Sequence, residues 1–381
     1  MPSSFFQKTS KYFIGIMSGT SLDGVDCVLS TIQSDGKCAF IAHVSRDYTP
    51  EMRAKFLTLQ QASDNELDLE AHCANDLAIE YALAVQQLLA QAGLASEEIM
   101  AIGAHGQTIR HQPSKQRHLA YTLQSLNAAL LAELTQINVI SDFRSRDIAA
   151  GGQGAPLVPA FHAAQFKSDA PIAVLNLGGI GNLTLLQPNA PILGFDTGPA
   201  NVLLNDWIAK HLQLPFDENG SWARSGKVIP DILQSMMQES FFYDPIPKST
   251  GRDLFHMAWL TQQLPVGLAI KPEDIQASLV ELSATSIALQ LHNYLPNCAE
   301  LITCGGGVRN QYLMERIEAC CLELMPTMMF ANTNKYQKDP QTVEALAFAW
   351  FAWCFTEGLP ANLPSVTGAK APRILGALYP K

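Results

Sequence analysis

Two parts of the chain repeat one pattern, in which an apolar strand, a turn of small residues and a second strand follow one another. Residues 12–17 are apolar and residues 25–32 alternate, with a turn of Ser, Gly, Thr and Asp between them. Residues 172–177 and 183–186 repeat the arrangement around a glycine-rich turn. Alternation and turn-forming residues predict a β-hairpin at each place. The chain is therefore predicted to contain two similarly organised halves.

Helical periodicity fills most of the chain outside these hairpins. Apolar residues recur at spacings of three and four from about residue 50 to residue 92, and Gly93 follows as a C-cap. The longest apolar run, residues 345–355, is typical of one side of a buried helix. Further helices are predicted at residues 125–135, 202–212 and 311–324, and further strands at 99–103, 138–141, 192–201 and 301–304. This mixture predicts an α/β protein.

The composition argues against two classes of partner. Across 381 residues, 25 Lys and Arg stand against 35 Asp and Glu, which gives a formal net charge of −10. Nucleic-acid binders and proteins of acidic membrane surfaces are usually basic, so neither partner is expected. The apolar run at 345–355 is also shorter than the roughly 20 residues that cross a bilayer. No membrane span is predicted.

The cysteines indicate the compartment. Eight are scattered without a CxxC pair, and the nine histidines are equally dispersed. This distribution predicts reduced thiols in a cytoplasmic protein, with neither a disulfide framework nor a zinc site. Residues 12–17 run directly into a polar turn, so no secretory signal is expected.

Three glycine-rich turns, at residues 18–24, 178–182 and 305–307, each follow a predicted strand. Glycine lets the backbone approach a phosphate, and the N–H groups of such turns bind anions. One such turn is more often a plain tight turn, but three favour a nucleotide site. Neither a GxxxxGK[ST] motif nor a GxGxxG after a strand is present, so a P-loop and a dinucleotide fold are disfavoured.

Two aspartates are candidates for chemistry. Asp196 follows a predicted strand and precedes Thr-Gly-Pro, where a carboxylate could take a proton from an attacking water or hydroxyl. An Asx-turn residue that caps its own loop is an equally good interpretation. Asp23 could hold Mg²⁺ through water, because Mg²⁺ keeps several waters, or it could be an ordinary turn residue.

Three polar clusters allow both functional and structural interpretations. Arg144 and Arg146, beside Asp142 and Asp147, could form an ion-pair loop or bind a sugar carboxylate or a phosphate. His105 and Gln107 could bind a polar ligand or be satisfied loop residues. Residues 248–252, KSTGR, are predicted to form a solvated loop rather than a binding site.

Nine segments together resemble the bacterial anhydro-N-acetylmuramic acid kinases. In chain order they are MSGTSLDGVD (17–26), HGQT (105–108), DFRSRD (142–147), GGQGAPLVP (151–159), NLGG (176–179), GFDTGP (194–199), KSTGR (248–252), CGGG (304–307) and EALAFAW (344–350). The similarity extends over nearly the whole chain and is highly specific.

The resemblance implies an actin-like, sugar-kinase fold with two ribonuclease-H-like domains flanking a central cleft. The expected domains are residues 1–140, completed by 366–381, and residues 141–365. The implied reaction takes 1,6-anhydro-N-acetylmuramic acid, ATP and water to N-acetylmuramic acid 6-phosphate and ADP, in the recycling of cell-wall sugars. Mg²⁺ is the expected ion, and a homodimer is the expected assembly.

The resemblance also assigns roles to residues. Asp196 is the implied base for the attacking water. The implied sugar contacts are His105, Arg144 and Glu344. The implied ATP-binding residues are Gly19, Thr20, Ser21, Leu22, Asp23, Gly24, Val25, Asp26, Gly178, Gly179, Gly305, Gly306 and Gly307, the last three near the adenosine.

The chain departs from the family pattern at two places. Ala200 replaces a glycine after the base, and Ser125-Leu126 replaces an Ile-Gly pair, so a substrate contact from that turn is in doubt. Two alternative functions remain open. One is a conventional sugar kinase of the same fold, in which Asp196 deprotonates a sugar hydroxyl. The other is an actin-like module whose assembly depends on nucleotide.

Overall fold

The computed structural model describes residues 11–19, 22–114, 116, 118–265 and 269–381. By their contacts these residues form two compact units. The first contains the chain up to Phe166 together with Thr342–Lys381, and the second is Lys167–Gln341. The sequence predicted a boundary at residue 140, whereas the contacts place residues 141–166 and 342–365 with the first unit.

The described residues form strands and helices that occur in groups along the chain. The strands are β1 (Tyr12–Met17), β2 (Gly24–Ile32), β3 (Cys38–Asp47), β4 (Ile99–Ala104), β5 (Gln107–Gln112), β6 (Tyr121–Ser125), β7 (Val139–Ser141), β8 (Ile172–Leu177), β9 (Ile180–Leu186), β10 (Leu193–Pro199), β11 (Glu300–Cys304), β12 (Met329–Asn332) and β13 (Ala377–Tyr379). The α-helices are α1 (Pro50–Leu59), α2 (Glu66–Ala92), α3 (Ala128–Thr135), α4 (Ser145–Ala149), α5 (Val158–Gln165), α6 (Asn201–Leu212), α7 (Ser221–Ser225), α8 (Pro230–Met237), α9 (Met257–Gln263), α10 (Pro272–Tyr294), α11 (Gln311–Leu324), α12 (Val343–Thr356) and α13 (Pro364–Thr367).

Each unit is built on one mixed sheet, and the two sheets share a strand order. In the first unit the order is β13-β7-β4-β1-β2-β3, and in the second it is β10-β9-β8-β11-β12. Three antiparallel strands form a meander in each, and two further strands lie parallel to its first strand. This is the ribonuclease-H-like arrangement. The predicted α/β class, with a ribonuclease-H-like sheet in each unit, is therefore confirmed.

Helix α12 packs against the first sheet with its own backbone. Gly15 of β1 and Gly103 of β4 lie opposite each other in the sheet. A Cβ built on Gly15 would overlap the carbonyl oxygen of Ala345, and one on Gly103 would overlap that of Phe348. Neither glycine has a positive φ, so close approach of the helix explains both residues. We call this pair, Gly15 and Gly103, the glycine slot.

The sequence of α12 fits this position. Its residues from Ala345 to Phe355 are all buried, as expected of a helix that is apolar on every side. The apolar run at 345–355 was predicted to form one side of a buried helix, and the structure buries all sides of it. Pairs of aromatic rings surround the helix, including Phe143 with Phe351 at a centroid distance of 5.7 Å.

The structure differs from the predicted elements in several places. The helical stretch at 50–92 is two helices, because Asn65 adopts a left-handed φ of 56° between α1 and α2. The sequence did not predict β3, whose first half exposes Phe40 and Ile41 and so lacks alternation. The β5–β6 hairpin was not predicted, nor were the short strands β12 and β13.

Two predictions from composition can be compared with the structure. All eight cysteines are free and buried. Their scattered positions in the sequence predicted reduced thiols. In the part of the chain that is described, no helix is both long and apolar enough to cross a membrane.

The glycine slot predicts a large effect from a small substitution. Gly103→Ala places a methyl group against the α12 backbone, and overpacking of this kind should lower the free energy of unfolding by about 2 kcal/mol or more. Urea unfolding monitored by tryptophan fluorescence measures the change.

The matched control is Gly358→Ala. Gly358 has a φ of 69°, and a Cβ there would meet no described atom within 4 Å. Its cost should be limited to the left-handed backbone, about 1 kcal/mol. Equal losses in the two variants would show that α12 does not rest on Gly103.

Candidate active site

The turn after β1 is the first part of the predicted ATP site. Thr20 and Ser21 lie outside the described residues. Leu22 and Val25 are each 1 % exposed, so both residues belong to the core. Asp23 is exposed, whereas Asp26 pairs across the sheet with His43 Nε2 at 2.9 Å.

The remaining glycines of this turn differ in environment. The carbonyl oxygen of Gly19 accepts a hydrogen bond from Leu22 N at 3.3 Å, which closes the turn. A Cβ on Gly24 would overlap the carbonyl oxygen of Arg46. Gly24 is therefore explained by the packing of β2 against β3.

A buried polar network fixes this turn to the end of β4. Ser18 Oγ donates to the carbonyl oxygen of Gly106 at 3.1 Å and lies 2.6 Å from Tyr81 Oη. Gln107 Nε2 donates to the carbonyl oxygen of Gly19 at 3.0 Å, and Tyr48 Oη donates to Gln107 Oε1 at 3.2 Å. Burial raises the pKa of both phenols above the ordinary value. Both tyrosines therefore remain neutral donors.

His105 uses both ring nitrogens inside the first unit. Nδ1 donates to the carbonyl oxygen of Ser18 at 3.3 Å, and Nε2 accepts from Arg144 Nε at 3.0 Å. The ring is 4 % exposed and lies 4.8 Å from that of Phe348. Burial, with Arg144 beside it, holds the pKa of His105 well below its usual value. The imidazole is therefore neutral, with its proton on Nδ1.

The loop after β7 holds the other side of Arg144. Arg144 Nη1 donates to the carbonyl oxygen of Gly154 at 2.8 Å, and Gly154 N donates to Asp147 Oδ2 at 2.8 Å. Asp147 Oδ1 accepts from Asn362 Nδ2 at 2.6 Å and from Thr367 Oγ1 at 2.7 Å. The fully buried Asp147 thus ties the loop to the C-terminal segment through uncharged donors.

The other charged residues of this loop differ from Asp147 in their exposure. Asp142 and Arg146 are exposed, while Asp147 is 0 % exposed. Asp147 therefore does not form the ion pair that the sequence analysis considered for this loop.

Glu344 lies on the same helix as the ring that contacts His105. It is half-buried in the first turn of α12, four residues before Phe348. Residues four apart share one face of a helix. The first unit therefore brings His105 and Arg144 into contact and places Glu344 one turn from the ring packed on His105.

In the second unit, two glycine turns follow the neighbouring strands β8 and β11. The carbonyl oxygen of Gly178 accepts from Asn201 N at 3.1 Å, and that of Gly179 accepts from Ala200 N at 2.9 Å. Both bonds tie the first turn to the start of α6. Ala200, the departure from the family pattern, is 1 % exposed.

The five glycines of these turns fall into two groups. Gly305 has a φ of 87°, and a Cβ on Gly307 would crowd Leu177, so the fold itself requires both. Gly178 and Gly179 have room for a Cβ, with no described neighbour closer than 3.5 Å, and a Cβ on Gly306 would meet nothing within 4 Å. The fold does not require these three, which are the positions where an outside group could approach the backbone.

Asp196 lies within β10, opposite Asn182 of β9. Its Oδ2 accepts a hydrogen bond from Thr250 N at 2.9 Å, and its own N donates to the carbonyl oxygen of Lys248 at 3.2 Å. A segment distant in sequence thus binds the carboxylate. The interpretation as an Asx turn expected a hydrogen bond within the residue's own loop instead. The glycine turn at Gly178 connects β8 to β9, the strand that pairs with β10.

Residues 248–250 do not form the solvated loop that the sequence favoured. Lys248 is 6 % exposed, and its Nζ donates to the carbonyl oxygens of Phe241 at 2.7 Å and Phe242 at 3.2 Å. Burial lowers the pKa of Lys248 to about 8, against the opposing influence of Asp244 and Asp196. The ammonium group anchors this segment beside β10.

The comparisons with known proteins extend over almost the whole chain. The family model described as anhydro-N-acetylmuramic acid kinase matches residues 11–381. A relative of that name from Cupriavidus metallidurans is 46% identical over 387 residues, which is 100% of both chains. The chain belongs to the anhydro-N-acetylmuramic acid kinase family.

Another relative and a solved structure complete the comparison. A protein of the same name from Burkholderia orbicola is 45% identical over 371 residues, 97% of this chain and 96% of its own. Component A of (R)-2-hydroxyglutaryl-CoA dehydratase from Acidaminococcus fermentans is 14% identical, with a TM-score of 0.46 over 91% of this chain and 100% of its own. A structural similarity of this extent supports no conclusion about function.

Sequence reasoning missed several of the residues that hold the family's motifs in place. Tyr81 was recognised only as an apolar position of a helix, and Tyr48, Asn362 and Thr367 carried no motif signal. Their hydrogen-bond partners, Ser18, Gln107 and Asp147, come from distant parts of the chain. The described residues contain no group of three His, Cys, Asp or Glu that could hold a metal ion.

The neutral state of His105 predicts how stability depends on pH. Below pH 6.5 the unfolded chain binds a proton at this histidine and the folded chain does not, so stability falls as the pH falls. His105→Gln, which keeps an acceptor for Arg144, should reduce this acid sensitivity by about 1 kcal/mol per pH unit between pH 6 and 5. Urea unfolding at both pH values measures the slope.

His72→Gln is the control. The His72 side chain is 73% exposed, so this substitution should leave the slope unchanged. His162, whose pKa burial lowers to about 3, contributes in the same direction in every variant. An unchanged slope in His105→Gln would mean that His105 is protonated in the folded protein.

Proposed function

We propose that this chain is an ATP-dependent kinase that opens the 1,6-anhydro bond of 1,6-anhydro-N-acetylmuramic acid with water and phosphorylates O6. The products are N-acetylmuramic acid 6-phosphate and ADP. The observation that carries the proposal is the family match over residues 11–381, which includes the carboxylate of Asp196 and the segment that binds it.

Asp196 is the general base of the proposed reaction. It takes a proton from water while the water oxygen bonds to C1 of the sugar and the C1–O6 bond breaks. O6 keeps the electron pair of that bond and attacks the γ-phosphorus, and ADP leaves. The hydrogen bond from Thr250 N holds Oδ2 in a fixed orientation, which favours proton transfer along one direction.

The glycine turns are the proposed phosphate sites. Gly178, Gly179 and Gly306 leave their backbone accessible, as close approach of a phosphate requires. Residues 19–26, with Gly305 and Gly307, complete the proposed ATP site. When bound, Mg²⁺ would neutralise charge on the phosphates, and the exposed Asp23 fits a role as its ligand through water.

The first unit supplies the proposed sugar contacts. Arg144 and Glu344 offer a guanidinium fork and a carboxylate, groups that recognise carboxylate and hydroxyl oxygens. Both ring nitrogens of His105 are engaged, so we propose that its contribution to sugar binding passes through Arg144. We further place the enzyme in cell-wall recycling in the cytoplasm, as a homodimer.

Product analysis in ¹⁸O-labelled water tests the coupled reaction. With the anhydro sugar, ATP and Mg²⁺, we expect label at C1 of a 6-phosphorylated sugar, detected by mass spectrometry. Phosphorylation of free hexoses with an inert anhydro sugar would instead indicate a conventional sugar kinase. Steady ATP hydrolysis without sugar, together with filaments, would indicate an assembly module.

Asp196→Asn tests the base. The amide cannot accept the proton, so turnover should fall by a factor of about 1,000 or more, while the Kd for ATP should stay within a few-fold. Single-turnover assays and ATP titration separate the two effects. Asp231→Asn, an exposed carboxylate in the same unit, is the control and should retain full activity; near-normal turnover in Asp196→Asn would contradict the assignment.

A further inference from the structure

Thr250 has two polar groups beside Asp196, and the chain uses one of them. Its backbone N donates to Asp196 Oδ2 at 2.9 Å. Its hydroxyl oxygen Oγ1 is buried and has no hydrogen-bond partner among the described residues. A buried hydroxyl without a partner destabilises the folded chain. Such a group is expected where something outside the chain completes its hydrogen bonding.

The position of Thr250 is built into the fold. Lys248 Nζ is anchored to the carbonyl oxygens of Phe241 and Phe242 and lies 4.6 Å from the ring centroid of Phe241. The carbonyl oxygen of Lys248 accepts from Asp196 N at 3.2 Å. Backbone hydrogen bonds on either side of Ser249 thus fix the segment against β10, and Thr250 follows with it.

The hydrogen bond from Thr250 N to Asp196 limits how far the Thr250 hydroxyl can lie from the carboxylate. Three covalent bonds separate the N and Oγ1 of a threonine, so Thr250 Oγ1 lies within about 6 Å of Asp196 Oδ2. Two hydrogen bonds of about 2.8 Å each span such a gap. A separation within this limit allows one water molecule to contact both groups.

Other buried hydroxyls of this unit provide a comparison. Thr197, next to Asp196, is 1 % exposed and donates to the carbonyl oxygen of Gly181 at 3.0 Å. Thr333 is 0 % exposed and its Oγ1 also lacks a partner among the described residues, but it follows β12, away from any proposed catalytic carboxylate. The combination found at Thr250, an unpartnered hydroxyl on the residue that binds the base, distinguishes it from both.

We propose that the hydroxyl of Thr250 binds the attacking water beside Asp196 and is a catalytic residue of the anhydro-bond cleavage. This inference rests on the proposed function. One water hydrogen is donated to Thr250 Oγ1, and the other is donated to the Asp196 carboxylate. As the oxygen bonds to C1 and the C1–O6 bond breaks, that proton passes to Asp196. Thr250 itself neither gains nor loses a proton.

Three variants test the role of the hydroxyl. Thr250→Val keeps the shape and the backbone N–H to Asp196 but removes the hydroxyl, and kcat for the anhydro sugar should fall about 10- to 100-fold. Thr250→Ser restores the hydroxyl and should stay within about threefold of the wild type. Thr333→Val, which removes an unpartnered hydroxyl elsewhere, should leave kcat unchanged. In all three, the KM for ATP should stay within about threefold.

Competition between nucleophiles gives a readout that a structural role would not change. With methanol added to the buffer, we measure the ratio of methyl glycoside to free reducing sugar among the 6-phosphorylated products. Methanol has one O–H hydrogen and cannot donate to both Thr250 and Asp196, so the Thr250 hydroxyl favours water. The methyl glycoside share should therefore rise severalfold in Thr250→Val and return to the wild-type share in Thr250→Ser.

Several outcomes would overturn the assignment. These are a Thr250→Val enzyme as fast as the wild type, a Thr250→Ser enzyme as slow as Thr250→Val, and an unchanged methyl glycoside share in a slow Thr250→Val enzyme. The last would place the defect in the position of Asp196. A wild-type enzyme that does not open the anhydro sugar would refute the proposed function itself, and is thereby distinguished from failure at Thr250 alone.

Discussion

The first unit depends on the contact between the backbone of α12 and the paired glycines Gly15 and Gly103. Close approach leaves no space for a side chain on either strand, and it fixes the height of the helix above the sheet. That height sets where Phe348 meets the ring of His105. His105 in turn positions Arg144, so the proposed sugar contacts depend on two residues that have no side chain.

Defined protonation states are the second requirement of this unit. Tyr48 and Tyr81 donate from neutral phenols, and His105 donates from Nδ1 while it accepts at Nε2. Burial favours the neutral form of all three groups. Because each donor has one acceptor in the network, the turn after β1, the end of β4 and the loop that carries Arg144 are fixed in a single arrangement.

The sequence predicted the hairpins, the fold class and the family, because alternation, turn residues and motif spacing are local signals. It could not predict β3 or β13, since the first exposes apolar residues and the second has three residues held by pairing with β7. It identified Asp196 as a candidate but favoured a solvated loop for Lys248. Long-range burial decided that case, and burial of a lysine is not visible in local sequence. The catalytic and binding roles of the named site residues stay predictions.

The glycines of the two units separate the demands of folding from those of activity. Gly15, Gly103 and Gly305 have no substitute, because backbone atoms or a positive φ exclude a side chain. Gly178 and Gly179 have room for a Cβ, and Gly306 has open space around it. A library of variants selected only for expression and solubility would therefore retain the first three glycines and accumulate substitutions at the other three. Soluble yield would then be a misleading guide in engineering this protein, since the positions that tolerate change in such a screen are those at which the proposed nucleotide approaches the chain.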